Sequence, residues 1–393
     1  MKNILIVLNL LLCGFIYFSF SALRPLRLPR LGVIHRQSKP IVEVVLPPSV
    51  QMQPFVGREP EKSYRSVKDT ERVYQAAIYK SRFVNLNHVA LSPDGKTLAV
   101  AGTIIRGKTQ RTLRSNSLLM LLDARSGKRL TSIWKYKVDG LKFSPDGKWL
   151  ITIGKKMRWW NMATGKLWKE VQTFGNSLAY SVDGKILAVA DHESNRLDIW
   201  QRKPFRLRNR FGFMADPGSI AFSCDGQKIT SSTGLIYDVA SEEIRRWPRS
   251  LSTDIFERIV TLSPINNLKA TFKITRDNKG VYNNRTIISS TRSERELWSI
   301  PFSVFPSRRS MFSPDGKRII LLHQTTYDEK QPADILARVY KAETGQLLQT
   351  IRRENAEDLL EATAVVFTPD GKTVILAGTG LDNAIKIVRL NAK

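Results

Sequence analysis

Residues that can hold a proton, a metal or a nucleophile are few in this chain, and they are scattered. Four histidines stand at His35, His88, His192 and His323, and none has a His, Cys or Asp partner at the spacing of a metal site or a catalytic triad. The two cysteines, Cys13 and Cys224, fall in an apolar stretch and in a turn. Two thiols so placed make neither a disulfide framework nor a metal cluster, and Cys224 has no activating neighbour in sequence. No Gly-rich phosphate loop and no nucleophile elbow occurs. The sequence therefore offers no catalytic residue, no metal ligand and no cofactor site, and the reading is a protein that is not an enzyme.

Positive charge is abundant instead. Lys and Arg number 62 against 35 Asp and Glu, a net charge of +27. Residues 1–70 hold ten Lys/Arg and four Asp/Glu, so +21 belongs to the remainder and the excess is no mere tail. Such a field favours anionic partners: an acidic protein, acidic lipid headgroups or nucleic acid. One run concentrates it: Arg106, Lys108, Arg111 and Arg114 lie between Thr103 and Asn116 with no acidic residue among them. Lys135, Lys137, Arg308 and Arg309 form further basic spots, whereas Glu354, Glu357, Asp358 and Glu361 form an acidic one whose spacing suits one or two helical turns. Arg202, Lys203, Arg206, Arg208 and Arg210 alternate with Pro204, Phe205, Leu207 and Phe211, as on a strand whose exposed side is charged, which by itself discourages edge-to-edge aggregation.

The elements that position these residues are set by a repeated phrase. Ser-Pro-Asp-Gly-Lys stands intact at 92–96, 144–148 and 313–317, and Thr368-Pro369-Asp370-Gly371-Lys372 differs by one methyl group. Ser181-Val182-Asp183-Gly184-Lys185 and Ser223-Cys224-Asp225-Gly226-Gln227 have lost the proline, and Ser263-Pro264-Ile265-Asn266-Asn267 keeps only its first half. Proline presets φ for a turn, aspartate hydrogen-bonds the backbone two residues on, and glycine takes the left-handed conformation that closes a hairpin. A large apolar residue precedes every copy: Leu91, Phe143, Tyr180, Phe222, Leu262, Phe312 and Phe367. An apolar run follows each turn, then a third run ending near an aromatic or acidic residue, and in four copies a second turn such as Ser126-Gly127-Lys128. Four strands per unit, repeated seven times, predict an all-β fold, a seven-bladed β-propeller.

In these turns and third strands the chain resembles the WD40-repeat family, over roughly residues 71–393. It departs from the family in having no Gly-His pair and only Trp160-Asn161, Trp200-Gln201 and Tyr237-Asp238 where Trp-Asp is usual. On that ground the family's buried His–Asp–Ser/Thr–Trp network is expected to be absent. The resemblance implies that the Asp-Gly turns lie on one face and the longer loops on the other. Arg106, Lys108, Arg111, Arg114, Arg308 and Arg309 then share a loop face with the acidic segment, and His88 is the histidine nearest the central channel. The residues between Leu98-Ala99-Val100 and Leu119-Met120-Leu121 are read as one long basic loop. Mixed sectors of charge suit a protein partner of acidic character; nucleic acid is supported by no motif. The last repeat stops after Ile385–Leu390, and the orphan run Val73–Lys80 is expected to supply its outer strand and clasp a monomeric ring.

The N-terminus is a different physical object. Residues 4–23 carry no charge and are long enough to cross a bilayer as a hydrophobic helix. Arg24, Arg27, Arg30, Arg36 and Lys39 follow, a flank that resists translocation and favours a retained anchor with the propeller on the cytoplasmic side. The alternative is a signal peptide with Ser19-Phe20-Ser21 before the cut, which would place the propeller in the periplasm or outside the cell as a binder or hydrolase of a small ligand. Residues 24–70, rich in proline and basic charge, read as an extended tether, or, through Ile41–Leu46, as one more rim strand.

Overall fold

The computed structural model describes residues 66–67, 71–74, 83–106, 114–133, 136–212, 219–223, 225–233, 235–246, 255–276, 282–293, 295–301, 310–323, 334–353, 359, 361–381 and 385–391. Every regular element among them is a β-strand. Two short strands come first, β1 (Ser66–Val67) and β2 (Glu71–Tyr74). A first group follows: β3 (Phe83–Leu91), β4 (Thr97–Arg106), β5 (Arg114–Asp123) and β6 (Arg129–Ile133). The second is β7 (Gly140–Phe143), β8 (Trp149–Ile153), β9 (Met157–Asn161) and β10 (Leu167–Val171). The third is β11 (Ser177–Tyr180), β12 (Ile186–Asp191), β13 (Arg196–Gln201) and β14 (Arg206–Gly212). Then come β15 (Ile220–Phe222), β16 (Lys228–Ser231), β17 (Leu235–Asp238) and β18 (Ile244–Arg246). These are followed by β19 (Ile255–Leu262), β20 (Leu268–Arg276), β21 (Tyr282–Ser290) and β22 (Glu296–Pro301). Next are β23 (Met311–Phe312), β24 (Arg318–Leu322), β25 (Ile335–Lys341) and β26 (Leu347–Arg352), and last β27 (Glu361–Phe367), β28 (Thr373–Leu381) and β29 (Ile385–Arg389).

The five groups from β7 to β26 are separate four-stranded antiparallel sheets. The first and last groups are joined in one nine-stranded sheet of order β1-β2-β29-β28-β3-β4-β5-β6, with β27 on β28. The join is made by Thr379, Gly380 and Leu381 pairing with Asn85, Val84 and Phe83. β2 lies on β29, Val73 opposite Lys386 and Tyr74 opposite Ile385. An N-terminal strand thus pairs with the C-terminal one, as expected, but it is Glu71–Tyr74; residues 75–80 lie outside the described residues. β1 adds a further strand beyond β2, a rim position the sequence had offered to Ile41–Leu46, which also lie outside the described residues. So do residues 1–23 and most of the tether. Among the described residues no helix is long and apolar enough to cross a membrane.

The repeated phrase builds one turn throughout. Ser92 Oγ donates to Asp94 Oδ1 at 2.5 Å, the Lys96 backbone N–H donates to the same oxygen at 3.0 Å, and Ser92 Oγ accepts Thr97 N–H at 2.8 Å. The copies at Ser144, Ser181, Ser223, Ser313 and Thr368 repeat this. The Ser92 hydroxyl and the Lys96 backbone bond hold the Asp94 carboxyl below its ordinary range. In the most worn copy Ser263 donates to Asn266 Oδ1, and Asn267 takes the left-handed conformation at φ 43°.

Consecutive turns lean on one another. A Cβ on Gly147 would stand 3.6 Å from Pro93, one on Gly184 3.3 Å from Pro145, one on Gly371 3.8 Å from Pro314, and one on Gly95 3.5 Å from Pro369. The first turn therefore rests on the last. Between the sheets, apolar side chains interleave: Leu150 and Trp160 pack with Ala99 and Leu119, Leu187 and Val189 with Ile151 and Met157, Ile319 and Leu321 with Ala270 and Ile288. Phe143, Phe312 and Phe367 before the turns are buried, as their positions predict, whereas Leu91, Tyr180, Phe222 and Leu262 are half-buried. Trp160 Nε1 donates to Thr152 Oγ1 at 3.0 Å inside the sheet β7–β10.

Candidate functional site

Antiparallel alternation puts the ends of all second strands, and the starts of all third strands, on the face opposite the Asp-Gly turns. Among the described residues two paired hairpins extend furthest on that face, and β28 runs nine residues beside them. β4 and β5 pair over ten residues each, from Thr97 opposite Asp123 to Arg106 opposite Arg114. β20 and β21 pair from Leu268 opposite Ser290 to Arg276 opposite Tyr282. The corresponding strands β8, β12, β16 and β24 have four to six residues. At about 3.3 Å per residue, the two hairpins rise roughly 13 Å beyond them.

This corrects the long-loop expectation. Residues 101–106 and 114–118 are strand, and only 107–113 remain as the connection. Extending the pairing satisfies backbone donors and acceptors that a loop would leave to water, and the β-branched run Thr103-Ile104-Ile105 fits it. Arg106 and Arg114 face each other across the tip of the hairpin backbone. Lys108, Arg111, Arg308 and Arg309 lie outside the described residues, as do Glu354, Glu357 and Asp358. Glu361 begins strand β27 rather than a helical turn. Gly102 marks where the projecting hairpin crosses a bulge in β3 between Leu86 and His88: a Cβ there would meet the Asn85 carbonyl oxygen at 2.0 Å. From the last group, Thr363 Oγ1 donates to Leu86 O at 2.6 Å beside that bulge.

Several charges of the middle sheets are paired among the described residues. Buried Glu170 accepts from Arg158 Nε at 2.7 Å and from Lys156, and the Arg158 guanidinium lies 3.8 Å from the Tyr136 ring centre. Buried Asp198 accepts from Arg210 through two nitrogens at 2.7 and 2.8 Å and from Thr173 Oγ1 at 2.7 Å. Arg208 reaches Glu242 and the Val239 carbonyl. Arg208 and Arg210, which the sequence placed on a solvated edge, are thus bridges within and between sheets. His323, at the end of β24, accepts from Arg338 at 3.0 Å through Nε2. Burial, then the Arg338 charge, pulls its pKa down to about 4, so the ring is neutral at physiological pH. His88 stands half-buried on β3 opposite Ala101, and His192 is exposed in the β12–β13 turn.

Lys142 on β7 is solvent-exposed, yet burial among surrounding protein pulls its pKa down. The first strands adjoin in order, β3 by β7, β7 by β11, β11 by β15, β15 by β19 and β19 by β23, with β27 by β3. Among the described residues no three His, Cys, Asp or Glu side chains converge on a point that could hold a metal ion.

A second feature gave no sequence signal. On the rim shared by the second and third groups, Trp149 packs on Trp168 with ring centres 4.9 Å apart, and Trp168 approaches Phe205 at 6.1 Å. Phe205 in turn stacks on buried Trp200 at 5.3 Å and meets the edge of Trp159 at 4.8 Å. Lys169 Nζ lies 4.3 Å from the Phe205 ring centre. Trp168 is 54% exposed.

Together the sheets define an all-β, propeller-like, multi-sheet protein. Among solved structures it is similar to one titled Kuenenia stuttgartiensis Hydrazine Synthase, with a TM-score of 0.59 and 16% identity, over 82% of this chain and 100% of that one. No protein-family model matches the chain and no curated protein does. At such identity the likeness is one of fold. Since 1065 solved chains match, a fold so widely used selects no activity.

Proposed function

We propose that the four-stranded groups are the blades of a closed, seven-bladed, WD40-like propeller, and that the protein is a monomeric, non-enzymatic, membrane-tethered interaction scaffold. It presents its loop face to a protein partner of acidic character. The observation that carries this reading is the projecting β4–β5 hairpin, whose tip spans Arg106, Lys108, Arg111 and Arg114. A ridge of paired backbone is a stiffer platform than a free loop, so less ordering entropy opposes binding. Supporting the closed ring are the Pro369–Gly95 contact between last and first turns and the β2–β29 pairing. Residues 4–23 hold the propeller to a membrane, on the cytoplasmic side by the basic flank that follows them.

Photo-crosslinking tests the scaffold reading. A photoreactive residue at Lys108 or Arg111 is expected to capture a discrete partner in cells, and one at Lys148 or Lys317 on the turn face is not. Capture from both faces alike, or from neither, would sink the assignment. N-terminal sequencing of the mature chain tests the anchor: a new terminus at Ala22 means a cleaved signal.

A further inference from the structure

The aromatic rim cluster caps the edge of the core away from the loop face, and the free charges around it are mostly positive. Lys148 precedes Trp149, Lys166 stands two residues before Trp168, and Lys203 and Arg206 flank Phe205; all four cations are exposed. The acids of the adjoining turns are taken, Asp146 by Arg202 at 2.5 Å and Asp183 by Lys185 at 3.1 Å. Buried Trp159 and Trp200 fix Phe205 from below, Phe205 and Trp149 brace Trp168, and Lys169 lies against Phe205. An exposed indole is held in place within a field of positive charge.

We infer that this rim, built by Trp149, Trp168, Lys166, Lys169, Lys203 and Arg206, docks on the surface of an anionic bilayer. Indole rings settle at the boundary between headgroups and acyl chains, apolar body inward and N–H toward water. Basic side chains around them gain from the negative potential of anionic headgroups, an attraction confined to about a Debye length. A single-stranded nucleic acid asks for something else, a series of free ring faces on which successive bases stack. Here Trp149 and Trp168 pack on each other at a tilt of 46°, and Phe205 is closed by Trp200 and Lys169, so no row of free ring faces is offered. The inference rests on the membrane reading of residues 4–23. That segment keeps the propeller within reach of a bilayer through roughly 40 residues of tether, at most about 3.3 Å each.

The test uses the full chain in lipid nanodiscs, either wholly phosphatidylcholine or about one third phosphatidylglycerol, with hydrogen exchange read on peptides covering 162–169 and 202–206. Exchange there is expected to slow by about fivefold or more in the anionic discs alone. Trp168→Ser combined with Lys166→Ser and Lys203→Ser should abolish the slowing, while β8 and β12 keep wild-type protection as the control for folding. Equal exchange in both lipids would overturn the proposal, and so would equal protection by a single-stranded oligonucleotide without lipid. If the chain does not enter nanodiscs at all, the membrane reading of residues 4–23 fails by itself. Flotation with anionic against neutral vesicles then decides the rim: it stands if the triple variant stops floating, and falls if variant and wild type behave alike.

Discussion

His323 shows how the loop face handles charge one side chain at a time. Buried beside Arg338, it is held neutral, with its pKa near 4 against an ordinary 6.5. Folding therefore disfavours its protonation. Its contribution is complete above about pH 6.5 and is lost as pH falls toward 4, on the order of 3 kcal/mol at most. Urea midpoints between pH 4 and 8 should slope in that window, and His323→Gln should flatten the slope; an unchanged slope would assign it to other groups. Two glycines separate steric from conformational cost in the same way. Gly102→Ala drives a Cβ into the Asn85 carbonyl oxygen and the Leu86 Cα, both backbone, so a loss above about 3 kcal/mol or outright misfolding is expected. Gly226→Ala has open space around it and only a left-handed φ of 69° to bear, so about 1–2 kcal/mol is expected. Comparable losses by denaturant titration would contradict the close approach at Gly102.

At the scale of elements, the clasp decides whether the sheet system is closed. β2 covers an edge of β29 that would otherwise offer unpaired backbone groups. Lys386 lies across this junction, fully buried, its Nζ donating to the Arg352 carbonyl at 2.8 Å in the preceding sheet. Deleting residues 71–80 should expose that edge and give an aggregating product, whereas deleting residues 1–65 should leave a cooperatively folded domain. A stable monomer from the first deletion, by light scattering, refutes the clasp. The clasp was legible because an orphan apolar run and a missing fourth strand stood at opposite ends of one repeating pattern. The turns were legible because Ser, Asp and Gly each do a fixed backbone job within five residues. The projecting hairpin was not: Arg106, Lys108 and Arg111 carry the polarity of a loop, and only the Thr103-Ile104-Ile105 run signals strand. The rim cluster was unreadable for another reason. Trp149, Trp168 and Phe205 come from two strands and a turn in two different groups, and no sequence period brings them together.

For the whole molecule, the question is what a net charge of +21 outside residues 1–70 does once the buried pairs are set aside. Glu170 and Asp198 hold four cations between them, and Asp146 and Glu242 one each. Such pairs fix sheet positions, but Glu170 and Asp198 each neutralise only one of their two cations, so the net charge stands. That charge steers, and steering acts on encounter more than on the lifetime of a complex. On the proposed reading, replacing Arg106, Lys108, Arg111 and Arg114 together with Ser should leave the melting temperature nearly unchanged, since surface charges contribute at most about 1 kcal/mol each. Association with the acidic partner should slow by roughly tenfold at low salt, with dissociation little altered. The gap between variant and wild type should close as ionic strength approaches about 1 M, where the Debye length shrinks to about 3 Å. Stopped-flow association across a salt series measures both effects. Equal rates for the two proteins at every salt would make the hairpin tip an ordinary solvated projection and move recognition elsewhere on the face.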